Sequence, residues 1–153
     1  METMRLVPGL TPVQMALICD WTNEQGRDYL MQWAGREVSF PLMLDEVSQW
    51  QQVYAICLED ELVGMIQLIR REGETLHVGR FMIQPSRVGR GLGKRALSIF
   101  MEELFADPTV QAISLHVFTM NHVAKRLYET VGFQVVQAIT SPVPYYRMVC
   151  KRK

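Results

Sequence analysis

Apolar residues change their period partway along this chain. In the first 50 residues they recur at helical spacing, and from Val53 onward they fall in strand-length runs. Met4–Val7 reads as a short strand closed by Pro8-Gly9. Thr11-Pro12-Val13-Gln14 then opens a helix: Thr11 caps it, Pro12 suits the first helical position, and Gln14 completes a capping box. Met15, Ile18 and Trp21 continue that helix at the right spacing. Asn23 to Trp33 reads as a second, less regular helix, Gly35 to Pro41 as loop, and Asp45 to Trp50 as one or two helical turns.

Val53–Leu58, Leu62–Arg70 and Thr75–Ile83 are three apolar runs separated by the tight turns Glu59-Asp60-Glu61 and Arg71-Glu72-Gly73-Glu74. That spacing predicts an antiparallel meander. A glycine-rich loop, Val88 to Gly93, leads into a helix reaching about Ala106. Its Leu97, Phe100, Met101, Leu104 and Phe105 form one apolar stripe. Asp107-Pro108 stops it. Ala112–Val117 reads as a strand, Asn121 to Val131 as a helix ended by Gly132, and Phe133–Gln137 and Tyr145–Cys150 as the last two strands. The pattern predicts one α+β domain over residues 1–153 with a mixed sheet.

Composition narrows the class. Hydrophobic residues make up 48% and charged residues 21% of 153 positions, the balance of a soluble globular domain. Sixteen basic residues offset 16 acidic ones, so the overall basic excess of a nucleic-acid binder is missing. Val53–Leu58 is far too short to span a membrane, and the N-terminus lacks the apolar segment of a signal peptide. The expectation is a cytoplasmic protein that binds neither nucleic acid nor membrane. Cys19, Cys57 and Cys150 lie far apart with no C-x-x-C. They are expected to be buried small hydrophobes rather than disulfides or metal ligands.

The segment richest in chemistry is Gln84-Pro85-Ser86-Arg87-Val88-Gly89-Arg90-Gly91-Leu92-Gly93-Lys94-Arg95. Three alternate glycines stand between a strand and a helix. Glycine allows close backbone approach, and a helix N-terminus offers free N–H groups to an anion. Arg87, Arg90, Lys94 and Arg95 add positive charge. A P-loop is excluded, because Val88 stands where its first glycine belongs and Arg95 where its hydroxyl belongs. A dinucleotide fingerprint is excluded by the G-x-G-x-G spacing and by the antiparallel meander before it.

At this loop the chain resembles the Gcn5-related N-acetyltransferase (GNAT) superfamily. Ile83-Gln84-Pro85 is similar to that family's strand exit, and Val88-Gly89-Arg90-Gly91-Leu92-Gly93 to its acetyl-CoA loop. Val88 occupies the place of the usual Gln or Arg, and the basic residue sits one position earlier, at Arg87. A second block, Asn121-x-x-Ala124-x-x-x-Tyr128-x-x-x-Gly132-Phe133 after Leu115-x-Val117, resembles the family's strand–helix–Gly-Phe segment. The resemblance covers about residues 53–150 and leaves residues 1–50 as the acceptor-side helices. It implies a mostly antiparallel twisted sheet of about seven strands, two of them splayed to hold acetyl-CoA as co-substrate without a metal. It implies backbone pairing at Met82 and Ile83, with the pyrophosphate on the amides from Gly89 to Lys94 and a cofactor contact at Asn121. Read from its own sequence position, Asn121 is equally an N-cap. A homodimer is compatible with this resemblance.

The implied reaction is direct acetyl transfer to a primary amine in a ternary complex. It needs a neutral amine, stabilised oxyanion character and a proton for the leaving thiolate. Tyr128 stands at the family's acid position, and its phenol is protonated at neutral pH. Without the resemblance it reads first as a core tyrosine whose hydroxyl makes a structural bond. A proton acceptor for the amine is sought among His77, His116, Glu72 and Glu74, with His77 preferred because histidine titrates near neutrality, and a route through water stays open. Trp21, Trp33 and Trp50, with Tyr29 and Phe40, either line an acceptor pocket or anchor helices to the sheet. A non-catalytic acyl-CoA sensor on the same fold, and a phosphate-binding protein using the basic loop, are the alternatives.

Overall fold

The computed structural model describes residues 2–153. Its elements are β1 (Met4–Pro8), α1 (Pro12–Gln25), α2 (Arg27–Ala34), α3 (Leu44–Gln49), β2 (Val53–Leu58), β3 (Glu61–Glu72), β4 (Thr75–Ile83), α4 (Leu92–Phe105), β5 (Ala112–Phe118), α5 (His122–Thr130), β6 (Gln134–Ile139) and β7 (Tyr145–Lys151), with a 3₁₀ turn at Pro85–Arg87. The strands form one seven-stranded sheet in the order β1-β2-β3-β4-β5-β7-β6. Five ladders are antiparallel. The β4–β5 ladder is parallel, because a whole helix must cross over between those strands.

Helices cover both faces. On one face, the apolar stripe of α4 buries Leu97 and Phe100 against Ile56, Val63, Ile66, Val78 and Leu115. Fully burying such a side chain is worth roughly 1.5–3 kcal/mol, so this stripe holds the glycine loop at a fixed place on the sheet. On the other face, Ile18 of α1 and Leu30 and Trp33 of α2 pack with Ala55, Met65 and Met82. The three cysteines are buried and unpaired. Among the described residues, no helix is long and apolar enough to cross a membrane.

The capping box at α1 forms as its sequence requires, with Gln14 N donating to Thr11 Oγ1 at 3.1 Å and Thr11 N to Gln14 Oε1 at 2.9 Å. The first two helices do not divide at Asn23, as their pattern suggested. α1 continues to Gln25, and the break falls at Gly26, whose φ of 100° suits glycine. Asn23 instead ties down the loop before α3, accepting from Leu42 N at 2.7 Å and donating to Leu42 O at 3.0 Å. β3 is also longer than its apolar run, because its polar end pairs with β4 around the turn.

Gly64 of β3 is where the sheet admits no side chain. A Cβ there would stand 2.2 Å from the Met82 carbonyl oxygen and 3.2 Å from Ile83 Cα. Since the obstacle is backbone, relief requires moving β4. Gly64→Ala should destabilise the fold by about 1–3 kcal/mol, the usual range for overpacking. Urea unfolding measures the effect.

Candidate active site

The short parallel ladder between β4 and β5 pairs Thr75–His77 with Ala112–Ser114 and ends there. At its last pair the His77 ring nitrogen Nδ1 lies 2.8 Å from Ser114 Oγ, and both side chains are buried. Past that point β4 bulges. Met65 pairs with Met82 and Gln67 with Gly79, so Arg80 and Phe81 together oppose Ile66. Arg80 has a φ of +43°, a conformation rare for a residue with a side chain. The bulge adds local twist, and the strands diverge. The gap is a cleft of about 240 Å³ lined by the facing edges of β4 and β5 and by Asn121, Ala124 and Tyr128.

Met82, Ile83, Val88, Asn121 and Tyr128, all singled out from the sequence, line this cleft. Asn121 is also the N-cap of α5, its Oδ1 accepting from Ala124 N at 3.2 Å. Gly89 and Gly91 have φ of +81° and +78°, and a Cβ at either would meet nothing within 4 Å. That space is therefore open to a ligand. Gly91 begins α4 without any side-chain cap. The first bond into the helix comes from Arg95 N to Gly91 O at 3.1 Å, so the amides of Leu92, Gly93 and Lys94 have no partner within the helix. Leu92 gives its side chain to the core. Arg87 is held by Glu61 and Gln84, and Arg95 by the Glu2 carbonyl at 2.7 Å. This leaves Arg90 and Lys94, both exposed, as the cations at the loop.

These features fit a long ligand with an anionic end. Strand-edge groups on β4 suit the amides of a pantetheine, and the uncapped helix start suits a pyrophosphate. Among the described residues, no three His, Cys, Asp or Glu converge to hold a metal.

The histidines divide in a way that spacing did not reveal. His77 is buried at the vertex, where it borders a second cavity but not the cleft itself. Burial chiefly, then His116, Arg70 and Arg147, push its pKa down to about 3. His116 instead lines both the cleft and a second cavity of about 470 Å³ on the α2 side of the sheet. Its pKa is also held below the ordinary histidine range, by desolvation first and then Arg147 and Arg70, against the opposing effect of Glu72. It is therefore a neutral, accessible imidazole at pH 7. Its ring stands 4.5 Å from His77 and 4.8 Å from Tyr145, centroid to centroid. Tyr128 packs edge-on against Phe133 at 5.9 Å, and burial pushes its phenol up to about 12. It keeps its proton through the whole neutral range.

Trp33 and Arg80 line both cavities too. Trp33 anchors α2 in the core and also lines these cavities. Arg80 was missed. The signal available was a charged residue inside the apolar run Thr75–Ile83.

The acetyltransferase (GNAT) family model matches residues 17–133. The aminoglycoside N(6')-acetyltransferase type 1 of Klebsiella pneumoniae is 26% identical, over 92% of this chain and 77% of its own length. The structure of AAC(6')-Ib in complex with ribostamycin and coenzyme A superposes with a TM-score of 0.76 at 27% identity, covering 99% of this chain and 93% of that one. Spermidine N-acetyltransferase from Vibrio cholerae, solved with CoA and spermine, shares the fold with a TM-score of 0.75 at 18% identity, covering 98% and 95%.

The buried His77 makes stability depend on pH. Its folded pKa of about 3 lies below its unfolded value, so below about pH 6.5 only the unfolded chain takes up the proton. Stability should be complete above that pH and fall as pH drops toward 3, by up to about 1.4 kcal/mol per pH unit. His77→Gln should flatten this dependence. Urea unfolding of both proteins between pH 7.5 and 4.5 measures it.

Proposed function

The chain belongs to the acetyltransferase (GNAT) family and is an acetyl-CoA-dependent N-acetyltransferase, and on that premise we propose how its residues divide the work. The observation that carries the assignment is Tyr128, a protonated phenol on the wall of the cleft between β4 and β5. The bound co-substrate supplies a thioester already activated toward amines. Met82 and Ile83 hold it along the strand edge, and the amides of Leu92, Gly93 and Lys94, with Arg90 and Lys94, hold its phosphates. Asn121 orients it while capping α5. Tyr128 donates a proton to the departing sulfur. His116 takes the proton from the incoming amine, being neutral and present in both cavities. His77 positions β4 against β5 through Ser114 and does not exchange protons with substrate.

The acceptor is a primary amine on a small molecule. Relatives named for aminoglycosides support that class. A second cavity of about 470 Å³, adjoining the cleft, is the size of an ordinary small-molecule site.

Two measurements test this assignment. Tyr128→Phe removes only a hydroxyl, so the fold should stay within about 1 kcal/mol while kcat falls about 10²–10³-fold and KM for acetyl-CoA changes little. His116→Gln should lower kcat/KM about 10²-fold and remove the acid limb of its pH profile. Wild-type turnover by the folded Tyr128→Phe protein across the pH range would return Tyr128 to a packing role. An unchanged acid limb in His116→Gln would exclude His116 as the proton acceptor.

Coenzyme A at about 100 times its Kd should stabilise the protein by about 2.7 kcal/mol. A thermal-shift titration reads this directly, and the absence of any shift at millimolar concentration would overturn the cleft assignment.

A further inference from the structure

Charge in the acceptor cavity runs opposite to what a polyamine requires. Its ionisable lining is Arg36, Arg80, His77, His116 and Tyr145, with Glu37 as the single carboxylate. Glu46 and Glu37 lie near enough to Arg80 to favour its charge, but neither closes an ion pair with it among the described residues. Arg70 is not part of this lining and pairs with Glu72 at 2.9 Å. A polycation placed here would lose hydration and meet two guanidinium groups.

Arg80 has the geometry of a built anion site. Its Nε donates to Ala34 O at 3.0 Å and one Nη1 hydrogen to Gln67 Oε1 at 3.1 Å. Its guanidinium lies 4.5 Å from the centre of the Trp50 ring. Those contacts fix the side chain and use two of its five N–H groups, leaving three without a protein partner. The residue is only partly exposed, and its backbone is held at φ +43°, the kind of strain that persists where surrounding structure over-determines a functional position. Trp33 lines the same cavity as an apolar wall, its ring edge-on to Trp50. Arg80 and Arg36 therefore bring two guanidinium groups to a lining that holds one carboxylate, Glu37, an excess of donors and positive charge that matches a carboxylate and mismatches an ammonium group.

We infer that the acceptor of this enzyme carries a carboxylate beside its primary amine, an amino-acid-like substrate whose carboxylate is held by Arg80 and Arg36 while its amine faces His116. This rests on the assignment of the second cavity as the acceptor site. A bidentate guanidinium–carboxylate contact supplies both charge and orientation.

The test uses matched amines that differ by one carboxylate, lysine against cadaverine and tryptophan against tryptamine, with kanamycin and spermidine as polycations. Thiol release gives kcat/KM, and calorimetry on the protein saturated with coenzyme A gives acceptor affinity without turnover. The carboxylate member of each pair should be preferred about 10–100-fold in both readouts, the range for a lost charge-assisted hydrogen bond. Arg80→Gln should abolish that preference by raising KM for the carboxylate amine, with KM for acetyl-CoA unchanged. Arg36→Gln, a substitution at an exposed site that the fold will tolerate, should reduce the preference in the same sense if Arg80→Gln is unstable. Equal or better use of the decarboxylated amines or of the polycations would overturn the inference and leave the acetyltransferase reading standing. Calorimetric preference for the carboxylate member without any turnover would support the carboxylate site and count against the catalytic assignments of Tyr128 and His116.

Discussion

The site depends on where β4 and β5 stop pairing. Three register pairs hold them together, and the last is closed by the buried His77–Ser114 hydrogen bond. Backbone N–H and C=O groups on the facing edges beyond that vertex have no neighbouring strand. Such groups are costly to leave unmet, so a gap of this kind persists only when water or a ligand completes it. A ligand with amides at strand-like spacing answers that need with few side chains, which is why an ordinary apolar run can form half a binding site. The vertex needs a neutral histidine, since a charged ring buried there would disfavour the pairing that defines the cleft.

The two ends of the cleft solve different electrostatic problems. At the loop end, the uncapped helix start and the left-handed glycines at 89 and 91 leave backbone N–H groups free for an anion. Arg87 and Arg95 are committed to the protein's own oxygens, so a count of basic residues overstates the free charge. The displacement of the basic residue to Arg87, with Val88 in its usual place, is thereby explained locally. Arg87 joins the loop to Glu61 at the start of β3, and Val88 turns toward the cleft lining. At the vertex end, a proton must leave the amine and another reach the sulfur. In the proposed assignment, a phenol held protonated and an imidazole held neutral are the pair of states that chemistry requires, and burial drives both shifts.

Much of this was legible in the sequence where one residue type admits one local outcome. The α4 stripe could be placed because a helix of its length buries one face. The loop glycines and the Asn121 cap were readable for the same reason. Legibility ended where a role depends on register. His77 and His116 are equivalent as strand histidines. Only the pairing of His77 with Ser114 puts one at a buried vertex and the other, two residues past Ser114, where the strands have parted. Arg80 interrupts an apolar run, a signal that something polar is served there. The bulge that aims it is a property of two strands, invisible in one. The division at Gly26 was likewise hidden, because α1 and α2 share a buried apolar face and Asn23 looks locally like a cap.

Fold and acceptor choice are written in different parts of the molecule. Backbone geometry sets the cofactor side: a bulge, a splay, an uncapped helix and two left-handed glycines, features that survive wide change in side chains. The acceptor cavity is set by residues from the end of α2 and the loop after it, from the bulge in β4 and from β5 and β7, where single substitutions change sign of charge without disturbing the sheet. A shared fold therefore carries the acetyl donor and the reaction from one chain to another, while the acceptor has to be read from each cavity's own donors and acceptors. Here guanidinium donors without partners gather around Arg80, and the proposed carboxylate-bearing acceptor is drawn from that imbalance rather than from overall likeness.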